Sequence, residues 1–239
     1  MLNQTILVKI QERVNKLASS DYDNIHCWQA IEAFNKAQVE WVRRQLVGTN
    51  ILRQGDEQSE RRIDDLNILL RTRTLNMTRK DRFYESPKLP FLTGDDYMTF
   101  KRLQVKASTD CCKEERLMVA YLVEEANVIN YLTDEYKKPS FDWGETIATI
   151  VGRKIRIYTN NEFSIDNVQL MYYQQPRRIQ EPGCADVYTG VANPAVSVLC
   201  EFKDDIVEVI IDEAVSIILG DIENYPNMQR AKQMAENKN

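Results

Sequence analysis

The sequence predicts an α+β fold with an N-terminal helical bundle, a central, mostly antiparallel sheet domain, and a closing C-terminal helix followed by an extended arm. Two observations carry this prediction. Apolar residues recur at three- and four-residue steps near both ends of the chain, as along one face of a helix, and alternate with polar residues in the middle, as in half-buried strands. With 239 residues, 43% of them hydrophobic, the chain is long enough for one large domain or two small ones.

Three helices are predicted in the N-terminal third. The first covers about residues 3–18. The second begins after Asn24, which can cap a helix N-terminus, and ends before Gly48. The third follows a polar stretch, and its apolar positions are Ile63, Leu66, Leu69 and Leu70.

The middle of the chain is expected to form strands. Three of them are indicated by the alternating positions Leu103 and Val105, then Leu117, Val119, Tyr121 and Val123, then Ile147, Thr149 and Val151. A short helical insert, "EEANVINYLTDE", separates two of these runs. Since long helical crossovers are missing, antiparallel pairing is the economical interpretation.

Residues 154–180, "KIRIYTNNEFSIDNVQLMYYQQPRRIQ", predict two further strands joined by a turn at Asn160 and Asn161, because Asn tolerates positive φ. The paired tyrosines and arginines of this stretch could suggest a platform that stacks nucleic-acid bases. Alternation places Tyr172 in the core and only Tyr173 outward. One outward aromatic residue does not make a stacking platform, so the stretch is interpreted as sheet rather than site.

A closing helix is predicted at residues 204–221. Its apolar stripe is wide, Asp204 and Asp205 lie at its N-terminus, where acidic residues are favourable, and Gly220 is placed to end it. We therefore expect N-terminal helices and a basic strand in residues 1–82, the sheet domain in 83–203, and a closing helix that packs on the N-terminal helices. Residues 222–239 form the arm, which Pro226 prevents from being one regular helix.

Composition excludes several classes of protein. The net charge of -5 and the pI of about 5.2 argue against a protein whose whole surface binds nucleic acid. No run of eighteen apolar residues occurs, so no membrane-spanning helix is expected. The five cysteines include no C-x-x-C spacing, and reduced thiols are expected.

Catalytic chemistry is not indicated. His26, the only histidine, is interpreted as structural or exposed, and without clustered cysteines a zinc site is not predicted. The commonest nucleotide-binding and hydrolase motifs are absent. The acidic pairs are interpreted as cap, surface and turn residues, and they are Asp64-Asp65, Asp95-Asp96 and Asp204-Asp205. We therefore expect no enzyme, no metal and no cofactor.

The basic run "RTRTLNMTRKDR" at residues 71–82 is the strongest candidate for a binding surface. Its five cations against one acid leave +4 in a chain of net charge -5. They are Arg71, Arg73, Arg79, Lys80 and Arg82. Such a concentration could face phosphates or an acidic patch on another subunit. An edge strand protected by charges would explain it equally well.

A resemblance to a known family favours one class of function. The span "LVEEANVINYLTDEYKKPSFDWGETIATIVGRKIRIYTNNEFSIDNVQLMYYQQPRRIQ" resembles virion structural proteins of tailed phages, especially crAss-like phages, in the order of its parts. The stretch "CEFKDDIVEVIIDEAVSIILGDIEN" is similar to the closing helix of head-to-tail adaptors of short-tailed phages, and "KLPFLTGDDYMTFKRLQVKAS" fits the entry into their sheet domain. The resemblance covers about residues 87–225.

The resemblance implies a ring protein of the phage neck or tail, made in the host cytoplasm and located in the virion. Such adaptors dock beneath the portal protein, form cyclic homo-oligomers that are typically twelvefold, and contact other neck or tail ring proteins. They surround the DNA channel, which implies transient, non-specific contact with genomic DNA, and they have no catalytic residues. The basic run would then face the channel or a neighbouring subunit. The arm would dock on a neighbouring subunit or the portal through Ile222, Tyr225 and Met228.

Two other classes stay open from the sequence. One is an uncommon metal-dependent nuclease that uses Asp95 and Asp96. The other is a nucleic-acid-binding accessory protein that works through residues 71–82.

Overall fold

The computed structural model describes residues 1–17, 25–47, 63–89, 97–109, 115–184, 195–221 and 229–234. The chain divides into two compact units. The helical unit consists of Met1–Ile68 and Pro176–Asn239, and the sheet unit is Leu69–Gln175. No helix in the described part is long and apolar enough to cross a membrane.

The described residues contain both helices and a large sheet, so the predicted α+β class is confirmed. The helices are α1 (Asn3–Leu17), α2 (Cys27–Val47), α3 (Val128–Thr133) and α4 (Asp204–Asp221), and residues 63–66 and 229–234 are also helical. The strands are β1 (Leu70–Leu75), β2 (Thr78–Arg79), β3 (Phe83–Glu85), β4 (Tyr97–Ser108), β5 (Glu115–Leu122), β6 (Glu145–Val151), β7 (Lys154–Tyr158) and β8 (Ser164–Gln174).

Two boundaries differ from those predicted. The sheet unit begins at Leu69 and ends at Gln175, whereas the sequence suggested 83–203. The basic strand therefore belongs to the sheet unit and not to the N-terminal helices. Leu70, predicted in the third helix, is the first residue of β1, because its backbone pairs with Tyr173 of β8. Asn24 and Gly48, the predicted ends of the second helix, lie outside the described residues.

The core of the helical unit forms around α4, which packs against both α1 and α2. Its apolar stripe is almost completely buried, at Ile206, Val207, Ile210, Ile211, Ala214, Val215, Ile218 and Leu219. Ile6 and Ile10 of α1 and Phe34 of α2 are fully buried in the same unit. Each large apolar side chain that is fully buried contributes roughly 1.5–3 kcal/mol, so this packing is the main source of stability for the unit.

Two carboxylates interrupt the apolar surface of α4 and are also buried. The side chains of Asp212 and Glu213 are 7% and 8% exposed. Arg13 of α1 lies 2.5 Å from Asp212, and Arg44 of α2 lies 2.7 Å from Glu213. Because a buried charge without a partner is strongly unfavourable, these pairs select the rotation of α4 that presents Asp212 to α1 and Glu213 to α2.

Stability of the helical unit should depend on pH through Glu208, which contacts Lys9 and Arg13. Partial burial raises the pKa of Glu208, but the hydrogen bonds and charges of Lys9 and Arg13 outweigh it, so the pKa lies below its ordinary value of 4.5. A carboxyl group with a lowered folded-state pKa stabilises the fold above its unfolded pKa and loses that contribution as the pH falls through the folded pKa. We expect Glu208→Gln to weaken the loss of stability below about pH 4.5.

Denaturant unfolding at a series of acidic pH values measures this effect. Glu12→Gln is the matched control, since Glu12 is exposed on α1 and forms no ion pair with the described residues. An identical pH dependence in Glu208→Gln and the wild type would contradict the assignment.

The expectation of reduced cysteines is wrong for one pair. Cys27 at the start of α2 and Cys184 form a disulfide, with a Cα–Cα distance of 5.4 Å. The two residues are 157 positions apart, so only the folded helical unit brings them together. Cys200 is free and buried, and burial raises the pKa of its thiol.

The sheet unit is built from one eight-stranded sheet with the strand order β1-β8-β4-β5-β6-β7-β3-β2. Neighbouring strands are antiparallel except β5 and β6, which are parallel. The predicted mostly antiparallel sheet is therefore confirmed. The turn after β7 has the expected positive φ at Asn160 (51°) and Asn161 (58°), although β7 and β8 do not pair with each other.

The parallel pair corrects the expectation that these strands pair antiparallel, which was based on the absence of long helical crossovers. Strands β5 and β6 run in the same direction, so a crossover must carry the chain back between them. Residues 123–144, which contain α3, form this crossover. The sequence pattern indicated the helical insert but not its role, because strand direction depends on pairing between distant segments.

One face of the sheet is buried in an apolar core. It includes Leu75, Leu103, Val105, Ala107, Met118, Ala120, Ala148, Ile155, Ile157, Val168, Leu170 and Tyr172. On β5 the buried side chains are Met118 and Ala120, whereas Leu117 and Tyr121, from which the strand was predicted, are 62% and 52% exposed. The register explains the difference, because Met118 and Ala120 lie opposite Val105 and Leu103 of β4.

Candidate interaction surfaces of the sheet unit

The five predicted cations lie at the two edges of the sheet. Arg71 and Arg73 are on β1, the first strand in the order, and Arg79 is on β2, the last. Lys80 and Arg82 occupy the turn between β2 and β3, which is closed by a hydrogen bond from the Lys80 amide to the Phe83 carbonyl (2.8 Å). We call these five residues the basic seam.

The two edges are close together because β1 and β2 are consecutive in the chain. Only Asn76 and Met77 separate Leu75 from Thr78. Three Cα–Cα steps span at most about 11 Å, so the sheet must curl until its first and last strands are near each other. Curling places cations from both edges on one part of the surface, which a flat sheet of eight strands would not do.

Four of the cations are unneutralised within the described part of the chain. Arg73, Arg79, Lys80 and Arg82 are exposed, and none has a described acidic residue within ion-pair distance. Arg71 is half-buried and donates a hydrogen bond to the Leu70 carbonyl (3.2 Å). Unpaired cations concentrated along sheet edges can discourage pairing with another strand, and they can also bind an anionic partner.

A second surface is formed by the crossover between β5 and β6. Val128 of α3 packs on Ile147 and Tyr158, which anchors the crossover to the sheet. Glu125 accepts hydrogen bonds from Arg156 (3.0 Å) and from the Tyr158 hydroxyl (3.1 Å). These contacts hold the segment in a defined position.

The charged side chains that hold the crossover on the sheet, Glu125 and Arg156, stabilise each other. Burial raises the pKa of Glu125, but the hydrogen bonds from Tyr158 and Arg156 and the positive charge of Arg156 help to outweigh it, so the pKa of Glu125 lies below its ordinary value. Arg156 also contacts Glu85 and lies over the ring of Phe83, 4.9 Å from its centroid. These carboxylates are satisfied by neighbouring cations, which indicates a structural anchor rather than an acid–base site.

The outer side of the crossover exposes large apolar side chains. Ile129, Tyr136 and Trp143 are 73%, 78% and 68% exposed. The acids Glu124, Glu135 and Asp142 are exposed on the same segment, and none forms an ion pair with a described residue. We call these six residues the crossover surface. Isolated exposed apolar residues are common, but three of them on one short anchored segment make that segment a candidate interaction surface.

The crossover surface was not predicted from the sequence. A signal was present in α3, where Val128 and Leu132 share one side of the helix and Ile129 falls outside it. Tyr136 and Trp143 carry no such periodic signal, since they lie in turns.

The other predicted candidates do not form a site. Tyr172 and Tyr173 are both buried, at 3% and 7% exposure, so the expected outward position of Tyr173 is wrong. Tyr173 pairs with Leu70 of β1, and the Lys101 Nζ lies 6.0 Å from the centroid of its ring. Arg177 and Arg178 belong to the helical unit, where they contact Glu201 and Glu32.

The described acids and histidine show no metal-site geometry. No group of three His, Cys, Asp or Glu side chains in the described residues could hold a metal ion. His26 is exposed and stacks with Trp28. Asp64 and Asp65 both contact Lys203. Asp95 and Asp96, the acids of the possible nuclease site, lie outside the described residues.

The arm residues Ile222, Tyr225 and Met228 also lie outside the described residues. The helical segment 229–234 that follows buries Ala231 to 2% exposure, while Met234 is 46% exposed.

Comparison of the sequence with protein-family models found no match, and comparison with curated proteins found none either.

Proposed function

We propose that this chain is a structural component of a tailed-phage virion, a head-to-tail adaptor that forms a ring below the portal. It joins the capsid to the tail and surrounds the channel for DNA. The proposal rests on the resemblance of residues 87–225 to such proteins and on one observation from the structure. Four exposed cations of the basic seam have no described acidic partner, although the chain as a whole is acidic.

A basic seam in which four cations have no described acidic partner suits an adaptor in two ways. It provides non-specific electrostatic attraction to a DNA backbone, or it pairs with an acidic surface of another subunit. Both interactions are sensitive to salt, since the cations are exposed. The proposed partners are other copies of the chain in a ring, the portal protein, other neck or tail ring proteins, and DNA in transit.

The adaptor proposal includes a contact made by the C-terminal arm. Ile222, Tyr225 and Met228 would dock on a neighbouring subunit or on the portal. The chain would occupy the host cytoplasm during assembly and the virion afterwards.

A nonsense mutation in the gene tests the function directly. An adaptor that joins capsid to tail is needed for the two to connect, so infection without the protein should give heads and tails that sediment separately. Supplying the wild-type protein from a plasmid should restore complete particles. Complete, infectious particles formed without the protein would contradict the adaptor function.

A further inference from the structure

The basic seam and the crossover surface are complementary in charge. The crossover, residues 123–144, contains five acids and two lysines, a net charge of -3, while residues 71–82 have five cations and one acid, a net charge of +4. Glu125 and Asp134 are neutralised by Arg156 and Lys137. The acids left exposed on the crossover therefore outnumber its free cations.

The side-chain types are complementary as well. Arginine guanidinium groups stack on aromatic faces and pair with carboxylates. The crossover surface presents Tyr136 and Trp143 together with Glu135 and Asp142. The basic seam presents three exposed arginines with apolar stems. Aromatic and arginine residues are the types enriched where proteins bind each other.

The two surfaces lie on different parts of the same unit. The crossover leaves from β5 and returns to β6, the fourth and fifth strands in the order, while the seam joins the first and the eighth. No ion pair connects the described residues of the two surfaces within one copy. Among the described residues, the two surfaces therefore do not neutralise each other.

We propose that the basic seam of one copy docks on the crossover surface of the next copy. Because the two surfaces differ, the contact is heterologous, and its repetition closes a ring when the rotation between neighbouring copies divides a full turn. This inference rests on the proposed ring function and adds the contact that builds the ring. A DNA backbone is the competing occupant of the seam, but phosphates would be repelled by the acids of the crossover, which leaves that surface without a partner.

Charge exchange between the surfaces tests the contact. The crossover variant carries Glu124→Lys, Glu135→Lys and Asp142→Lys, and the seam variant carries Arg73→Glu, Arg79→Glu and Arg82→Glu. Full-length variants are supplied from a plasmid to phage with a nonsense mutation in the gene, and protein in purified particles is quantified. Each variant alone should reduce incorporation at least about tenfold, a change of about 1.4 kcal/mol in association. A chain carrying both sets should recover most of it.

The outcomes separate the inference from the proposed function. If wild-type protein is absent from particles, the ring function itself fails. If the wild type is incorporated and the crossover variant is incorporated equally well, the head-to-tail contact is wrong. If only the seam variant is defective and the loss is in genome ejection, the seam binds DNA instead.

Crosslinking gives a readout that does not depend on charge. A photoreactive phenylalanine at position 136 should crosslink to a peptide within residues 71–82 of another copy in assembled particles. Melting curves of each variant confirm folding, which we expect because the substituted side chains are exposed. Should the crossover variant unfold, the neutral set Glu124→Gln, Glu135→Gln and Asp142→Asn replaces it. We expect this set to reduce incorporation by a smaller factor. Crosslinks only to other proteins would overturn the inference.

Discussion

Replacing Arg44 by methionine is expected to lower the free energy of unfolding by about 3 kcal/mol. Glu213 is 8% exposed, and Arg44 lies 2.7 Å from its carboxylate. Without Arg44 the carboxylate is left among the apolar side chains of α4 with no described cation to neutralise it. The estimate is at the low end for buried pairs, since the Arg44 side chain is itself 30% exposed. Denaturant unfolding of the purified chain measures the difference.

Two further variants test whether the loss of stability comes from the unpaired carboxylate of Glu213. Arg43→Met removes a cation from the neighbouring, exposed position of α2 and should change stability by less than about 0.5 kcal/mol. Adding Glu213→Leu to Arg44→Met removes both charges and should recover much of the loss, because well-packed apolar residues often replace a buried ion pair without cost. Equal effects of Arg43→Met and Arg44→Met would show that the pair does not stabilise the fold.

Under the proposed adaptor function, charge reversal of the basic seam should have the largest effect on infectivity. Arg73→Glu, Arg79→Glu and Arg82→Glu together change the charge of residues 71–82 from +4 to -2, since each substitution removes one cation and adds one acid. We expect at least a tenfold loss of infectious particles, while the melting temperature of the purified chain changes by only a few degrees. The side chains are exposed and have no described acidic partner, so the fold does not depend on them.

The matched control reverses three exposed cations elsewhere, at Lys36, Arg43 and Lys88, which also form no ion pair with described residues. That variant has the same net charge and should keep near wild-type infectivity. If both variants are equally infectious, the seam serves only as a charged sheet edge. If both are equally defective, total charge matters rather than the seam.

The sequence predicts the parts of this fold that depend on local pattern. The stripe of α4 repeats every three to four residues over eighteen positions, and α4 is found at 204–221 as predicted. The alternation in "KIRIY" and "VQLMYY" likewise corresponds to β7 and β8. In these elements the pattern reports which face is buried, because that requirement acts on neighbouring residues. On β5 the pattern indicated the wrong face, since Leu117 and Tyr121 are exposed.

Pairing between distant segments is what the sequence leaves undetermined. The parallel β5–β6 pair and the disulfide between Cys27 and Cys184 have no local signature. For the same reason, the basic run was recognisable as a charge cluster, but its position where two sheet edges approach each other depends on the strand order. The exposed residues of the crossover were missed because exposure depends on what the rest of the unit covers.

Imaging of the intact phage particle tests the central claim most directly. Electron microscopy with symmetry averaging about the portal axis should show this chain as a closed ring below the portal, with helices and an eight-stranded sheet in every copy. Each sheet unit should place its crossover against residues 71–82 of a neighbour. A particle in which the neck ring has a different fold, or in which the chain is absent or present only as scattered single copies, would contradict the account.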